Sequence, residues 1–413
     1  MSNQVTSLAS GHEGTLGEQT RAYISRVRGG EMGSLPAIGA MIAIAIIFAA
    51  LSPFFLTDLN ITNLFVQSAE LTMLSGALVF VILLGEIDLS AGVTAGVAMG
   101  VYIVLVQQGG WGWLPALGAA FVVGAAVGWV IGFVVAKIGV PSFVVTLAFF
   151  LGFQGMQLVL LGEGGVYHVN NPEILAIMNN NMSPIQGWIM ILLCAAGTFA
   201  FGVWDRSRRA KTGLVNRPII ILVLKAVAIL VIGGIAVFVM NQDRSQGVIP
   251  ISGVPIVVPI SIIILVFVTL VLDRTKFGRH LYAVGGNPEA ARRAGIKVGR
   301  IRIYAFIICS VLAVVSGVFH ASRIGSVDGS SGRTIVLNGV AAAVVGGVSL
   351  FGGRGRISHA AIGAIVISMI DNGLGLLQMP AGANFLITGG VLLLAATIDA
   401  LARRRSGGSI ARN

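Results

Sequence analysis

Charge is scarce in this sequence, because only 10% of its 413 residues are Asp, Glu, Lys or Arg. Soluble globular proteins carry about 25% charged residues, so this composition excludes an ordinary soluble protein. Apolar residues make up 56% of the chain, which excludes an intrinsically disordered protein. The 56 glycines follow no collagen-like period. Abundant glycine in an apolar chain is typical of membrane helices that pack closely.

Several chemical signatures are also missing. The sequence has no G-x-x-x-x-G-K-[ST] phosphate loop, no H-E-x-x-H and no G-x-S-x-G. Its five histidines show no metal-ligand spacing, and we predict that they are polar loop or span-end residues. Cys194 and Cys309 lie in apolar segments and are interpreted as small core residues rather than a disulfide. These absences favour a conduit that binds no metal or cofactor of its own over a catalyst.

Twelve apolar segments approach the roughly 20 residues that a membrane-crossing helix needs. They are 37–56, 64–84, 91–107, 114–136, 142–161, 186–203, 219–240, 256–272, 302–320, 334–351, 359–377 and 384–402. The third and tenth are short and rich in glycine, so 10 to 12 crossings are expected. The sequence predicts an all-α, polytopic integral membrane protein with a transmembrane domain over 37–402, between tails at 1–36 and 403–413.

The basic residues fall on one side of these spans. With a cytoplasmic amino terminus, the inner segments hold 23 of the 27 Lys and Arg residues, and the outer loops hold Arg244, Arg323 and Arg333. The positive-inside rule then predicts that both termini are cytoplasmic. It also explains the net charge of +11 through contact with membrane lipid, without nucleic acid. The polar start of the chain predicts that the first span is an uncleaved anchor.

Two segments between spans are long enough to meet partners. The predicted outer loop 162–185 contains no Lys or Arg, and the predicted inner loop 273–301 is the largest cytoplasmic connection. Within the inner loop, an Asn-Pro-Glu start and a glycine stop predict a short capped helix. It comprises Asn287, Pro288, Glu289, Ala290, Ala291, Arg292, Arg293 and Gly295. So short a helix is marginal alone, which leaves two interpretations: docking against a partner, or a surface helix at the lipid headgroups.

Two glycine-rich interruptions follow apolar runs, one in each half of the chain. The first contains Gly85, Glu86, Asp88, Ser90 and Gly92, and the second occupies 346–355. Carboxylates beside a span are costly unless they are solvated or paired. Asp88 and Ser90 either cap the next helix or contribute to transport. The span count places both interruptions on the same face, and paired interruptions are typical of a transporter core.

Polar side chains inside spans are the candidates for lining a translocation path. They are Gln67, Glu70, Gln154, Gln157, Asn338, Asp371 and Asn372. Gln154 and Gln157 are three residues apart and share a helix face. An ionisable residue inside a membrane is a functional candidate, and a buried sugar hydroxyl needs such donors and acceptors. Hydrogen bonding between helices is the alternative explanation for each of them.

Four motifs resemble the permease subunits of bacterial ABC importers for monosaccharides. They are GEIDLSAG at 85–92, GRHLYAVGGNPEAARRAGI at 278–296, VVGGVSLFGGRG at 344–355 and DNGLGLL at 371–377. The resemblance covers about 37–402. The GEIDLS form and the extra pair of spans around 186–240 are most similar to the D-xylose-type permeases.

The resemblance implies an inner-membrane homodimer of bacteria that imports a pentose such as D-xylose. A separate ABC ATPase subunit would bind ATP–Mg, and a periplasmic sugar-binding protein would deliver the substrate. The family's coupling helix corresponds to 287–296, and we hypothesise that the outer loop 162–185 contacts the binding protein. The missing phosphate loop is then expected, because ATP belongs to the partner.

The sequence departs from the family pattern at two places. Thr334 and Asn338 stand where family members often carry carboxylates, and the family's asparagine pair is Asp371-Asn372. Both changes bear on the identity of the sugar. Two other classes stay open from the residues alone. One is a secondary sugar transporter driven by an ion gradient, with Glu70 or Asp371 as the relay, and the other is a membrane-embedded transferase, for which no catalytic constellation is found.

Overall fold

The computed structural model describes residues 33–212, 218–245 and 247–408, together with single residues at 17 and 21. Helix dominates the described chain, and strand is limited there to two segments of three residues. The predicted all-α class is therefore confirmed.

Fifteen helices follow one another along the described residues. They are α1 Leu35–Leu51, α2 Asp58–Ile82, α3 Ala91–Gln107, α4 Trp113–Phe133, α5 Ser142–Leu161, α6 Pro172–Asn179, α7 Pro184–Lys211, α8 Ile219–Met240, α9 Val257–Arg274, α10 Lys276–Gly286, α11 Pro288–Arg293, α12 Val298–Ile324, α13 Ile335–Val345, α14 Ile357–Leu376 and α15 Ala381–Gly408. A π-helical turn, Val134–Ile138, continues α4. The strands are β1 Val166–His168 and β2 Ser326–Asp328.

Each of the twelve predicted spans overlaps one of these helices. Among the described residues, eight helices are long and apolar enough to cross a membrane, namely α2, α4 with its π-helical turn, α5, α7, α8, α9, α12 and α14. Shorter apolar helices cover the remaining segments, at α1, α3, α13 and the Gly382–Thr397 part of α15. The number of crossings and the side of the termini stay predictions.

Several predicted span boundaries are wrong by about a turn or more, and three of them have a clear local cause or consequence. α2 begins at Asp58 because the Thr57 hydroxyl accepts a hydrogen bond from the Asn60 N–H and caps the helix. α12 continues to Ile324, so Arg323 lies in its last turn rather than in an outer loop. α13 stops at Val345, before the predicted end at 351, because the chain turns at Gly347 with a φ of +104°.

The described chain separates into two compact units. One contains 181–254, and the other contains 33–180 and 255–404. In the first, α7 and α8 pack on each other, and α7 opens with a capping box in which Ser183 and Gln186 exchange hydrogen bonds. This unit holds the pair of spans that the sequence marked as additional around 186–240.

The larger unit is built around α2 and α12. In the 18-residue apolar stretch of α2, 83% of the residues are buried. α12 packs against α2, α3 and α4. One face of α4 carries small residues one turn apart, among them Ala120, Gly124 and Gly128, all buried. A β-carbon at Gly128 would collide with the Phe306 carbonyl oxygen of α12. Small residues therefore set the close approach of these helices.

The two strands join segments far apart in the sequence. β1 pairs antiparallel with β2, so that Val166 lies opposite Asp328 and His168 opposite Ser326. The short helix α6 follows β1 and is tied to α12 through Ser322, whose hydroxyl accepts from the Met178 N–H at 3.0 Å. The predicted outer loop 162–185 therefore contains a strand, a helix and the first residues of α7.

Candidate functional site

The two glycine-rich interruptions meet directly. After α2, the chain breaks at Gly85 with a φ of +74°, and the Leu83 carbonyl accepts a hydrogen bond from the Gly353 N–H at 2.8 Å. A β-carbon at Gly352 would lie 2.8 Å from the Gly85 nitrogen, so only glycine fits there. The prediction that both interruptions occupy one face of the protein agrees with this contact.

Inside the first interruption, Asp88 organises the turn. Its carboxylate accepts hydrogen bonds from the Ser90 N–H at 2.9 Å and from the Ser90 hydroxyl at 2.6 Å. Ser90 is the N-cap residue of α3, but its hydroxyl makes no capping bond to that helix. Asp88 is fully buried, and the Cys309 thiol lies 3.7 Å from its second oxygen. The Asp88 carboxylate therefore stabilises the turn that leads into α3. Of the two capping candidates, Ser90 makes no side-chain cap, and the transport alternative stays a prediction.

The second carboxylate of this interruption is paired. Glu86 lies 3.1 Å from the Nε of Arg302, in the first turns of α12. Both side chains are mostly buried, at 13% and 29% exposure. The ion pair therefore connects the first interruption to the N-terminal end of α12, directly after the loop 273–301.

At the end of this interruption, Gly92, the second residue of α3, lies against a second backbone. A β-carbon at Gly92 would collide with the Gly332 carbonyl oxygen, and one at Gly332 would collide with the Gly92 carbonyl oxygen. Gly332 has a φ of +87°. The two backbones therefore touch with no side chain between them.

The short helix predicted at 287–296 is present as α11. The Asn287 side chain accepts a hydrogen bond from the Ala290 N–H at 3.0 Å, and Pro288 occupies the first turn. Glu289 pairs with Arg292 at 2.7 Å, and Gly295 ends the segment with a φ of +83°. The capped helix is confirmed, while its role in coupling stays a prediction.

The sequence analysis missed a second helix in the same loop. α10 begins after Thr275, whose hydroxyl accepts from the Gly278 N–H at 3.2 Å, and it leads directly into α11. Thr275 follows the last apolar run of α9, and this capping residue is the signal that could have located α10.

α10 touches both interruptions. A β-carbon at Gly285 would collide with the Leu83 carbonyl oxygen, and the Gly353 nitrogen would lie 2.9 Å from it. The Tyr282 hydroxyl donates to the Gly355 carbonyl at 2.7 Å. Burial, with a smaller contribution from the Asp273 carboxylate, raises the pKa of Tyr282 to about 12, so the donor stays protonated. We call α10 and α11 the coupling segment and the place where it meets both interruptions the glycine junction.

A cavity that is partly open to solvent, with about 340 Å³ of empty space including its open part, lies between α2, α3, α12 and the segment that follows β2. Its walls include Gly96, Met99, Ser316 and Ser331, with Glu70 and His320 as its ionisable lining groups. Of the seven path candidates, Glu70 lines this cavity. The lining is predominantly apolar with a few polar groups, which is typical of small-molecule sites.

Glu70 is held by two residues that the sequence analysis did not select. One of its oxygens lies 2.8 Å from His320 Nδ1, and the other lies 3.0 Å from the Arg323 guanidinium. His320 lies about one turn before the end of α12, where the prediction placed it as a span-end residue, but its pairing with Glu70 was not predicted. Ser316, His320 and Arg323 recur at helical spacing on one face of α12, and that periodicity could have pointed to a shared partner.

Two glutamines were predicted to share a face of α5, and the structure separates their environments. Gln157 is buried and donates to the Val93 carbonyl at 3.0 Å, and its Nε2 contacts the space that a β-carbon at Gly96 would need. Gln154 is partly exposed. Gln157 therefore packs against Gly96 of the cavity wall, whereas Gln154 lies in a more exposed environment.

The remaining candidates gather between α2, α13 and α14. Asn372 and Asn60 exchange two hydrogen bonds of 2.9 Å, and Asn372 also donates to Gln67 at 3.4 Å. The neighbouring Asp371 accepts from Asn338 at 3.5 Å. Asn60, which the sequence analysis did not select, completes the amide pair. These side chains connect helices, as the alternative explanation expected.

Among the residues that the structure describes, no group of three His, Cys, Asp or Glu side chains is arranged to hold a metal ion.

The chain thus combines membrane-length apolar helices with two helix interruptions that contact each other and the coupling segment. The chain belongs to the family described as the branched-chain amino acid transport system permease component, whose model matches residues 60–396. It is thus a transport subunit rather than an enzyme.

Three relatives show which kinds of permease the chain is similar to. The chain is 33% identical over 375 residues to the xylose transport system permease protein XylH of Escherichia coli K12, covering 89% of this chain and 92% of that protein. It is 30% identical over 383 residues to the ribose import permease protein RbsC of the same strain, covering 92% and 96%. The D-allose transport system permease protein AlsC is 28% identical over 359 residues, covering 87% and 89%. No solved structure matches the chain. The resemblance to monosaccharide permeases is confirmed.

Proposed function

We propose that this chain is the membrane-spanning permease subunit of an ATP-binding-cassette importer that translocates D-xylose or a related pentose. Similarity to XylH over most of both chains supports the xylose assignment, and similarity to RbsC supports the pentose class. The departures at Thr334, Asn338 and Asp371 leave the choice among pentoses to experiment.

The observation that carries the proposal is the glycine junction. At Gly285 the coupling segment contacts Leu83, just before the first interruption, and Gly353, in the second, through backbone atoms with no side chain between them. Protein interiors are close-packed and have low compressibility, so they transmit a displacement instead of absorbing it. A push on α11 by a partner therefore moves both interruptions together.

In this mechanism, two permease chains form a homodimer in the bacterial inner membrane and a separate ATPase subunit docks on each coupling segment. ATP–Mg is bound and hydrolysed by that ATPase, and this chain holds neither ATP nor a metal. Closure of the ATPase pair would draw the α11 helices together. The path shared by the two permeases would then change the face to which it opens.

The docking surface on α11 is charged and accessible. Arg292 and Arg293 are 65% and 81% exposed, and both pair with Glu289 within the helix. Exposed ion pairs of this kind contribute about 0–1 kcal/mol to stability. Their side chains are therefore available to a partner without cost to the fold.

A periplasmic sugar-binding protein would deliver substrate to the opposite face. We assign part of that contact to the loop 162–185, whose exposed carboxylates include Glu163 and Glu173. Because the loop carries no Lys or Arg, the complementary surface on the binding protein is expected to be basic.

ATP hydrolysis by the assembled complex tests the proposal. Permease, candidate ATPase and binding protein would be reconstituted in nanodiscs, and hydrolysis would be measured with the binding protein loaded with xylose, ribose, arabinose or galactose. We expect stimulation by several-fold with the cognate pentose, and only when the permease is present. Hydrolysis that ignores both permease and sugar would contradict the proposal.

A further inference from the structure

Three ionisable side chains join α2 to α12 at one end of the cavity. Glu70 on α2 is the shared acceptor, with His320 and Arg323 of α12 on its two oxygens. The geometry points to an outer gate: this cluster closes the periplasmic end of the translocation path and must separate for sugar to enter. The assignment of the periplasmic side rests on the proposed function.

Burial within the cluster is unequal. The Glu70 side chain is only 3% exposed, whereas His320 and Arg323 are 30% and 33% exposed. The carboxylate is therefore covered by its two partners, which themselves reach solvent. Glu70 and His320 both line the cavity, so the cluster lies between the cavity and the exposed end of α12 at Ile324.

An ion pair suits a contact that has to open. Two apolar side chains of similar volume often stabilise a buried position as well as a salt bridge does. The charged partners can separate into water and be rehydrated, whereas an unpaired charge left inside the protein is costly. Glu70 and Arg323 can therefore form a buried ion pair when the gate is closed and separate, hydrated side chains when it is open.

Below the cluster, α12 meets its neighbours through small residues. Gly317 of α12 approaches α3 so closely that a β-carbon would lie 3.1 Å from the Ala95 carbonyl oxygen and 3.2 Å from the Met99 side chain. One turn before His320, the Ser316 hydroxyl donates to the backbone carbonyl of Glu70 on α2 at 3.0 Å. Ser316 therefore lies in the cavity wall directly beside the cluster.

The gate is connected to the coupling segment by a single helix. α2 runs without interruption from Glu70 to Ile82, a distance of about 18 Å at 1.5 Å per residue. Leu83, which follows, accepts the hydrogen bond from Gly353 at the glycine junction. Displacement of the junction therefore reaches the Glu70 carboxylate along one rigid element.

Thiol accessibility in intact cells tests the gate. Ser316, buried in the cavity wall, would be replaced by cysteine in a full-length chain whose Cys194 and Cys309 are alanine. A membrane-impermeant methanethiosulfonate would be added from the periplasmic side of spheroplasts. We expect Arg323→Gln and Glu70→Gln to raise the labelling rate of S316C at least tenfold. The matched control is Arg333→Gln, which alters an exposed arginine of the segment after β2.

Loss of one partner leaves a charge unpaired, so either single variant can fail to accumulate. The double variant Glu70→Gln/Arg323→Gln removes both charges and is expected to show the same increase. Unchanged labelling in a variant that is monodisperse in detergent would overturn the gate, and so would an equal increase with Arg333→Gln. The labelling rate is measured without sugar and without ATP hydrolysis. A chain that shows the expected labelling but no importer activity would therefore support the gate and contradict only the proposed function.

Discussion

The Gly353 N–H donates a hydrogen bond of 2.8 Å to the Leu83 carbonyl, and this contact joins the two halves of the chain. Leu83 directly follows α2, and Gly353 lies in the turn between α13 and α14. Gly285 of the coupling segment occupies the remaining space between them. In the proposed importer, a displacement of the coupling segment would therefore reach both helix interruptions at one place.

Gly285→Ala should weaken this junction. Its β-carbon would collide with the Leu83 carbonyl oxygen, which is backbone and cannot rotate away. Overpacking of this kind costs about 1–3 kcal/mol, so we expect a lower melting temperature and less sugar uptake per ATP hydrolysed. The measurements are thermal unfolding in detergent and coupled uptake in proteoliposomes.

Gly286→Ala is the matched control, because no atom lies within 4 Å of a β-carbon at Gly286. It should leave both quantities unchanged. Equal effects of the two substitutions would show that the glycines act through helix propensity and not through the contact with Leu83.

Tyr282→Phe should uncouple hydrolysis from transport. The substitution removes only the hydroxyl that donates to Gly355 at 2.7 Å, a bond whose net contribution is about 1 kcal/mol. We expect the ATPase to remain bound and active while sugar uptake per ATP falls. Tyr304→Phe, at an exposed tyrosine of α12, should leave the ratio intact. An unchanged ratio in Tyr282→Phe would remove this tyrosine from the coupling pathway.

Reversing the charge of α11 should disrupt capture of the ATPase. Arg292→Glu combined with Arg293→Glu changes two exposed side chains whose ion pairs contribute little to stability. We expect at least a tenfold loss of ATPase in pull-down from membranes. The control reverses Arg208 and Lys211, exposed basic residues at the end of α7. Equal capture by all three proteins would return α11 to the surface-helix interpretation.

The Asn60–Asn372 pair should behave as one unit. Each side chain both donates to and accepts from the other at 2.9 Å. Asn60→Ala leaves buried amide groups of Asn372 unsatisfied, at a cost of about 1–3 kcal/mol. In a double-mutant cycle, Asn60→Ala/Asn372→Ala should cost clearly less than the two single changes added together. Asn63→Ala, at an exposed position of α2, serves as the control, and strict additivity would contradict the pairing.

Local signals in the sequence were sufficient for α11 and for the helical class. Asn287, Pro288 and Gly295 act within a few residues of one another, so their pattern predicts a helix start and stop without tertiary information. The apolar runs likewise locate the helices, although Thr57 and Gly347 move their ends. α10 was missed because its amphipathic sequence lies outside the apolar runs.

Contacts between distant residues could not be derived in the same way. Glu70 is separated by 250 positions from His320, and Asn60 by 312 from Asn372. Helical periodicity shows which side chains share a face but not which helix that face meets. The sequence therefore selected Glu70 and Asn372 as polar residues inside spans without identifying their partners.

Sugar uptake into proteoliposomes tests the central claim most directly. The permease would be reconstituted alone and with its candidate ATPase and binding protein, and given xylose, ribose, arabinose or galactose. We predict uptake of a pentose that requires ATP and all three components and that persists when an uncoupler collapses the ion gradient. Uptake by the permease alone, driven by an ion gradient and abolished by the uncoupler, would contradict the account and identify an ion-coupled transporter with Glu70 or Asp371 as its relay.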